Sequence, residues 1–87
     1  MTKLAFEDID DARVRRPYLF VFLLEDEETY WVGQFSPFMQ ITITDNDALM
    51  FNFYPSEKDL CLSKEQWQEI LQTAETFLDE TLRRDAD

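Results

Sequence analysis

Four consecutive acids, Glu25, Asp26, Glu27 and Glu28, form the densest run of chemically active side chains in the sequence. A shorter group, Asp45, Asn46 and Asp47, follows between two apolar segments. Carboxylates in such number can hold a divalent cation, move a proton, or present negative charge to a basic partner. The first two uses need company that this sequence lacks. There is no His, the commonest acid–base and metal-binding side chain, and the single Cys61 rules out thiolate metal sets. One glycine, Gly33, cannot build a phosphate-cradling loop. The run Asp45-Asn46-Asp47 lacks the spaced ligands and closing Glu of a helix-loop-helix calcium site. The expectation is a binding protein rather than an enzyme, with no catalytic residue, no metal and no cofactor.

The distribution of charge says what such acids would meet. The formal net charge is −11. Residues 1–16 balance four acids against four bases, whereas residues 17–62 set eight acids against Lys58 alone. Residues 63–87 add seven acids against Lys64, Arg83 and Arg84, so Arg13, Arg15 and Arg16 read as the only basic cluster. This field repels phosphate backbones and anionic lipid, and it steers basic partners inward. The expected partner is a basic or nucleic-acid-binding protein, met by Glu25, Asp26, Glu27, Glu28, Asp45 and Asp47. Tyr30 and Trp31 are the expected aromatic anchors beside the first acid group. Direct nucleic-acid binding is disfavoured by the same charge.

Cys61 cannot form an internal disulfide, which fits a reducing compartment, and burial as a small apolar side chain is its expected role. The start MTKLAFEDID carries acids early and has no apolar core of the secretory kind. The seven-residue apolar run at 18–24 is too short to span a membrane. A cytoplasmic protein without membrane attachment is expected.

The elements that would position these groups read as one α+β domain over residues 1–87. With 45% hydrophobic and 15% aromatic residues, the chain is too apolar to stay disordered. Residues 1–16, with Leu4, Phe6, Ile9, Ala12 and Val14 in no clear period, read as an arm or a short helix. Residues 17–62 read as an antiparallel sheet of four or five strands. YLFVFLL (18–24) and TYWVGQF (29–35) would form a hairpin with the acids at its tip, and Gly33 marks a bulge or bend. FMQITIT (38–44) and ALMFNFY (48–54) alternate cleanly and make a second hairpin around the Asp45-Asn46-Asp47 turn. DLCL (59–62) would add a fifth strand. Ser63, with Gln66 three residues on, predicts a capped helix over 63–84, and residues 85–87 read as a frayed tail. Trp67, Ile70, Leu71, Ala74, Phe77, Leu78 and Leu82 give that helix one apolar stripe for one face of the sheet. The second apolar set of 18–24 then still needs a cover, from the N-terminal segment, a second copy or a partner.

The junction Leu60, Leu62, Ser63, Glu65, Gln66, Trp67 and Ile70, together with MQITITDNDALMFNFY (39–54), resembles the single-stranded-DNA-binding transcriptional coactivators of the positive cofactor four type. The resemblance spans residues 39–78. It implies paired strands leading into a long helix, a dimer, and a sheet that clasps single strands with basic and aromatic side chains. Residues 18–54 here contain no Lys or Arg, so the resemblance carries topology further than it carries nucleic-acid binding. Besides the acidic interaction module, two alternatives follow: a single-stranded nucleic-acid-binding dimer, and a homodimeric structural or chaperone-like protein. In the homodimeric structural alternative the surplus apolar face becomes the interface.

Overall fold

A computed structural model describes residues 2–10, 13, 15–25, 36–55 and 59–86. Among them the chain forms four strands and one helix: β1 (Thr2–Ile9), β2 (Tyr18–Glu25), β3 (Met39–Ile43), β4 (Leu49–Phe53) and α1 (Lys64–Ala86). The strands lie in sequence order, each antiparallel to the next. This is the expected α+β arrangement of a sheet followed by a C-terminal helix.

The N-terminal segment is a strand rather than an arm or short helix. β1 pairs with β2 along its whole length, from Thr2 opposite Glu25 to Ile9 opposite Tyr18. Leu4 and Phe6 are two residues apart and so share a face, opposite Leu23 and Val21. β2, apolar up to its last residue Glu25, offered a complete edge, and the backbone groups of β1 are satisfied by taking it. Glu7 and Asp8 are tolerated because no strand borders the outer side of β1 among the described residues.

On the other side, β3 pairs with β2 at Leu19, Phe20 and Val21. The hairpin strand expected at 29–35 and its acidic tip lie outside the described residues, apart from Glu25. The fifth strand expected at 59–62 does not form. Leu60 and Cys61 are exposed and only Leu62 packs against the core, so the segment serves as a lead-in to the helix. Cys61 therefore lies on the surface, not buried as its apolar neighbours suggested.

One face of the sheet carries the core. Leu19 and Val21 of β2, Met39, Ile41 and Ile43 of β3, and Ile70, Ala74 and Phe77 of α1 form a single buried cluster. Leu4, Phe6, Leu49, Phe51, Leu62 and Leu78 pack around it. Each buried aliphatic side chain contributes roughly 1.5–3 kcal/mol. Trp67, expected to open the buried stripe, sits at its rim: its ring lies 6.0 Å from that of Phe51 but remains partly in water.

The N-terminus of α1 is held by its cap. Ser63 N donates to Gln66 Oε1 at 2.9 Å, and Gln66 N donates to Ser63 Oγ at 3.0 Å, closing the capping box. The same Gln66 extends its amide Nε2 to Thr2 O (3.1 Å) and Thr2 Oγ1 (2.9 Å), fastening the helix start to the start of β1. The helix continues through Asp85 to Ala86, two residues into the expected frayed tail.

The buried line of α1 runs Ile70, Ala74, Phe77, Thr81, at spacings of four, three and four. Thr81 was not part of the apolar stripe, yet it is 1% exposed and its Oγ1 has no hydrogen-bond partner. Burying a hydroxyl without a partner costs on the order of 1–3 kcal/mol, and Val has nearly the same shape. Thr81→Val should therefore stabilise the protein by about 1 kcal/mol, read as a higher urea midpoint at unchanged slope.

Candidate functional site

The opposite face of the sheet is set by the second apolar set of β2. Alternation sends Tyr18, Phe20, Phe22 and Leu24 away from the helix. The three rings form a row with edge-on contacts: Tyr18 to Phe20 at 5.3 Å and 74°, then Phe20 to Phe22 at 6.4 Å and 74°. Tyr54, just past β4, joins with its ring 6.5 Å from Phe20, and its hydroxyl donates to Gln40 Oε1 at 3.3 Å. Such contacts add about 0.5–1.5 kcal/mol each beyond area burial, so the row holds its own shape.

This face is closed at one end and open at the other. Phe22 and Leu24 are buried, whereas Tyr18 and Phe20 are half-buried and Met50, Asn52 and Tyr54 are exposed. Across the open part, Phe20 lies opposite Gln40 and Glu7, and Gln40 lies opposite Asn52. The surface is thus aromatic and amide-lined, with Glu7 the charged side chain beside Phe20. A shallow depression adjoins it, lined by Arg15, Arg16, Pro17, Tyr18, Gln40, Thr42 and Ile43.

The two arginines of that depression are engaged within the chain. Arg15 Nη1 donates to Asp45 Oδ1 at 2.9 Å. Arg16 Nη2 donates to Asp47 Oδ1 at 2.7 Å, Arg16 Nη1 donates to Thr44 O at 3.0 Å, and Arg16 Nε lies 3.3 Å from Asp85 Oδ2. Only 13% of the Arg16 side chain is exposed, against 72% for Arg15. The hydrogen bond that Arg16 donates to Asp47 is the largest influence holding its guanidinium above its ordinary pKa, and the Asp85 and Asp45 charges act the same way against some desolvation. One side chain thereby joins the approach to β2, the β3–β4 turn and the end of α1.

The turn is built to present these acids. Thr44 N donates to Ala48 O (2.7 Å) and Asp47 N to Thr44 O (3.0 Å), while Thr44 Oγ1 accepts from Asn46 N (3.3 Å) and Ala48 N (3.2 Å). Asp47 adopts φ 62°, a left-handed conformation that Asp tolerates better than most residues. Asp45 and Asp47, expected to face a partner, are thus paired with Arg15 and Arg16 of the same chain. The pairing needs an arginine pair that is thirty residues away in sequence but adjacent in the sheet, which no local pattern reveals.

Of the other expected contact residues, Glu25 is exposed at the end of β2, opposite Thr2. Asp26, Glu27, Glu28, Tyr30 and Trp31 lie outside the described residues. Sequence reasoning passed over Tyr18, Phe20 and Tyr54 as surface anchors, although the doubly apolar pattern of 18–24 was the signal for the first two. Exposed acids also mark the outer side of α1, at Glu65, Glu69, Glu75, Asp79 and Glu80, with Asp79 paired to Arg83 at 2.8 Å. Among the described residues, no three His, Cys, Asp or Glu side chains gather as a metal set, and no helix is long and apolar enough to cross a membrane. Compared with known protein families, curated proteins and solved structures, the chain matches none.

The two arginines separate cleanly by experiment. Arg15→Met should change stability by no more than about 0.5 kcal/mol, because both partners of its ion pair stand in water. Arg16→Met should lower the thermal midpoint distinctly more, since it leaves Asp47 and the Thr44 carbonyl without their donor and Asp85 without its neighbouring positive charge. Parallel melts of the two variants check this ordering.

Proposed function

We propose that this chain is a non-catalytic interaction module that binds, and by covering its nucleic-acid site inhibits, a basic or nucleic-acid-binding protein in the cytoplasm. The observation that carries this reading is an open aromatic sheet face on a chain of net charge −11. Aromatic side chains in partly desolvated positions supply most of the energy of a protein interface, and Tyr18, Phe20 and Tyr54 stand in such positions. Surrounding acids add long-range attraction and reject partners of the same sign. Carboxylates placed where phosphates would lie then compete with nucleic acid for the partner's basic site.

The same rings support a second reading, a single-stranded nucleic-acid binder like the coactivators that residues 39–78 resemble. Bases stack on exposed aromatics with little sequence preference. Against it, β2, β3 and β4 contain no Lys or Arg, and Arg15 and Arg16 are engaged by Asp45, Asp47 and Asp85. Phosphate binding would have to displace those carboxylates.

Affinity capture from lysate of the source cell, with and without nuclease, distinguishes the two. A basic protein retained through nuclease treatment supports the first reading, and retained nucleic acid supports the second. With the captured protein in hand, Tyr54→Ala should weaken binding by about 10-fold or more. Reversal of Glu25, Asp26, Glu27 and Glu28 to Lys should abolish capture. Undiminished binding by both variants would overturn the assignment of this surface.

A further inference from the structure

The exposed apolar side chains are not scattered. Met50, Phe53 and Tyr54, at 49%, 58% and 39% exposure, follow one another along β4 and its exit. Trp67, 37% exposed, stands against Phe51 of the same strand, and Leu60, 40% exposed, lies on the lead-in to α1. These five are the exposed large hydrophobics among the described residues. β4 also ends the sheet: no described strand lies beyond it. The two ends of the sheet are unlike in a way that matters for association. β1 carries Lys3, Glu7 and Asp8, the charged decoration that discourages further pairing. β4 reads Leu49-Met50-Phe51-Asn52-Phe53, with no charge, no proline and no glycine.

The hydrogen bonds at the two ends of the β3–β4 ladder say which backbone groups face outward. Thr44 N donates to Ala48 O, and Tyr54 N donates to Phe38 O. Bonded and non-bonded pairs alternate in an antiparallel ladder, so the backbone groups of Leu49, Phe51 and Phe53 point away from β3. This outward set is symmetric about Phe51.

We propose that β4 is the interface for a second copy of this chain, paired antiparallel with itself across a two-fold axis at Phe51. In that register Leu49 lies opposite the second copy's Phe53, and Met50 lies opposite its Asn52. About six inter-strand hydrogen bonds form from groups that have no partner strand among the described residues. The two sheets become one, the two helices lie on the same side, and the two aromatic faces lie together on the other. A second copy is the occupant because the contact is self-complementary and free of like charge. Two chains of −11 repel everywhere else, whereas this edge is uncharged and the neighbouring Asp45 and Asp47 are neutralised by Arg15 and Arg16. The contact is confined to one five-residue strand edge and its flanking side chains, at the small end of specific interfaces, so the dimer should form at about micromolar concentrations and tighten with salt.

Sedimentation equilibrium of the full chain tests this directly. The wild type is expected to dimerise, and Phe53→Lys should weaken the dimer by about 100-fold while retaining the wild-type circular dichroism, since Phe53 is mostly exposed. A second test fixes the register. In a Cys61→Ser background, the double variant Met50→Cys, Asn52→Cys should form disulfide-linked dimers on mild oxidation, because those positions face each other only in this pairing. A wild type that stays monomeric at high concentration overturns the proposal. So does a dimer that survives Phe53→Lys and fails to cross-link, which would place the interface elsewhere.

Discussion

β2 carries apolar side chains on both of its faces, and a single helix can cover only one. This constraint shapes the rest of the molecule. Leu19 and Val21 meet Ile70, Ala74 and Phe77 of α1 through a core shared with Met39, Ile41 and Ile43. Tyr18, Phe20, Phe22 and Leu24 are thereby committed to the far side, where ring contacts and burial satisfy only part of the row. The open aromatic surface is a direct result of how the core is filled.

The small domain then holds its layers together by a few long-range ties. Gln66 closes the helix cap and also reaches Thr2, so the start of α1 and the start of β1 share one side chain. Arg16 plays the corresponding part at the other end, joining Thr44, Asp47 and Asp85. Both residues are largely sheltered and both connect segments far apart in sequence, which is where a short chain gains most from a single polar contact. The arrangement has a functional consequence, since the bases nearest the aromatic face are already occupied by the chain's own acids.

Much of this was legible in the residues. The alternation of 38–44 and 48–54, the turn at Asp45-Asn46-Asp47 and the Ser63–Gln66 cap each rest on contacts within a few residues, and each forms. Other features were not legible, because they depend on which distant segments pack together. β1 was obscured because acids interrupt its alternation, which an edge strand tolerates. The lead-in at 59–62 has strand-forming residues but finds no partner strand, so its Leu60 and Cys61 stay exposed. Thr81 was omitted from the helix stripe because its chemistry is polar, although its position on the 70-74-77-81 line buries it.

The sequence by itself determined the α+β order, the helix with its cap, and the surplus of apolar surface on residues 18–24. Periodicity and capping are local, and a chain too apolar on one strand reveals that excess without being folded. Only the tertiary structure decided that the N-terminal segment extends the sheet and that Asp45 and Asp47 are neutralised from within. It also decided that Met50, Phe53, Tyr54 and Trp67 stay exposed on β4, at its exit or against it. Those outcomes depend on which distant segments become neighbours, and distance in space is the one quantity that spacing along a chain does not contain.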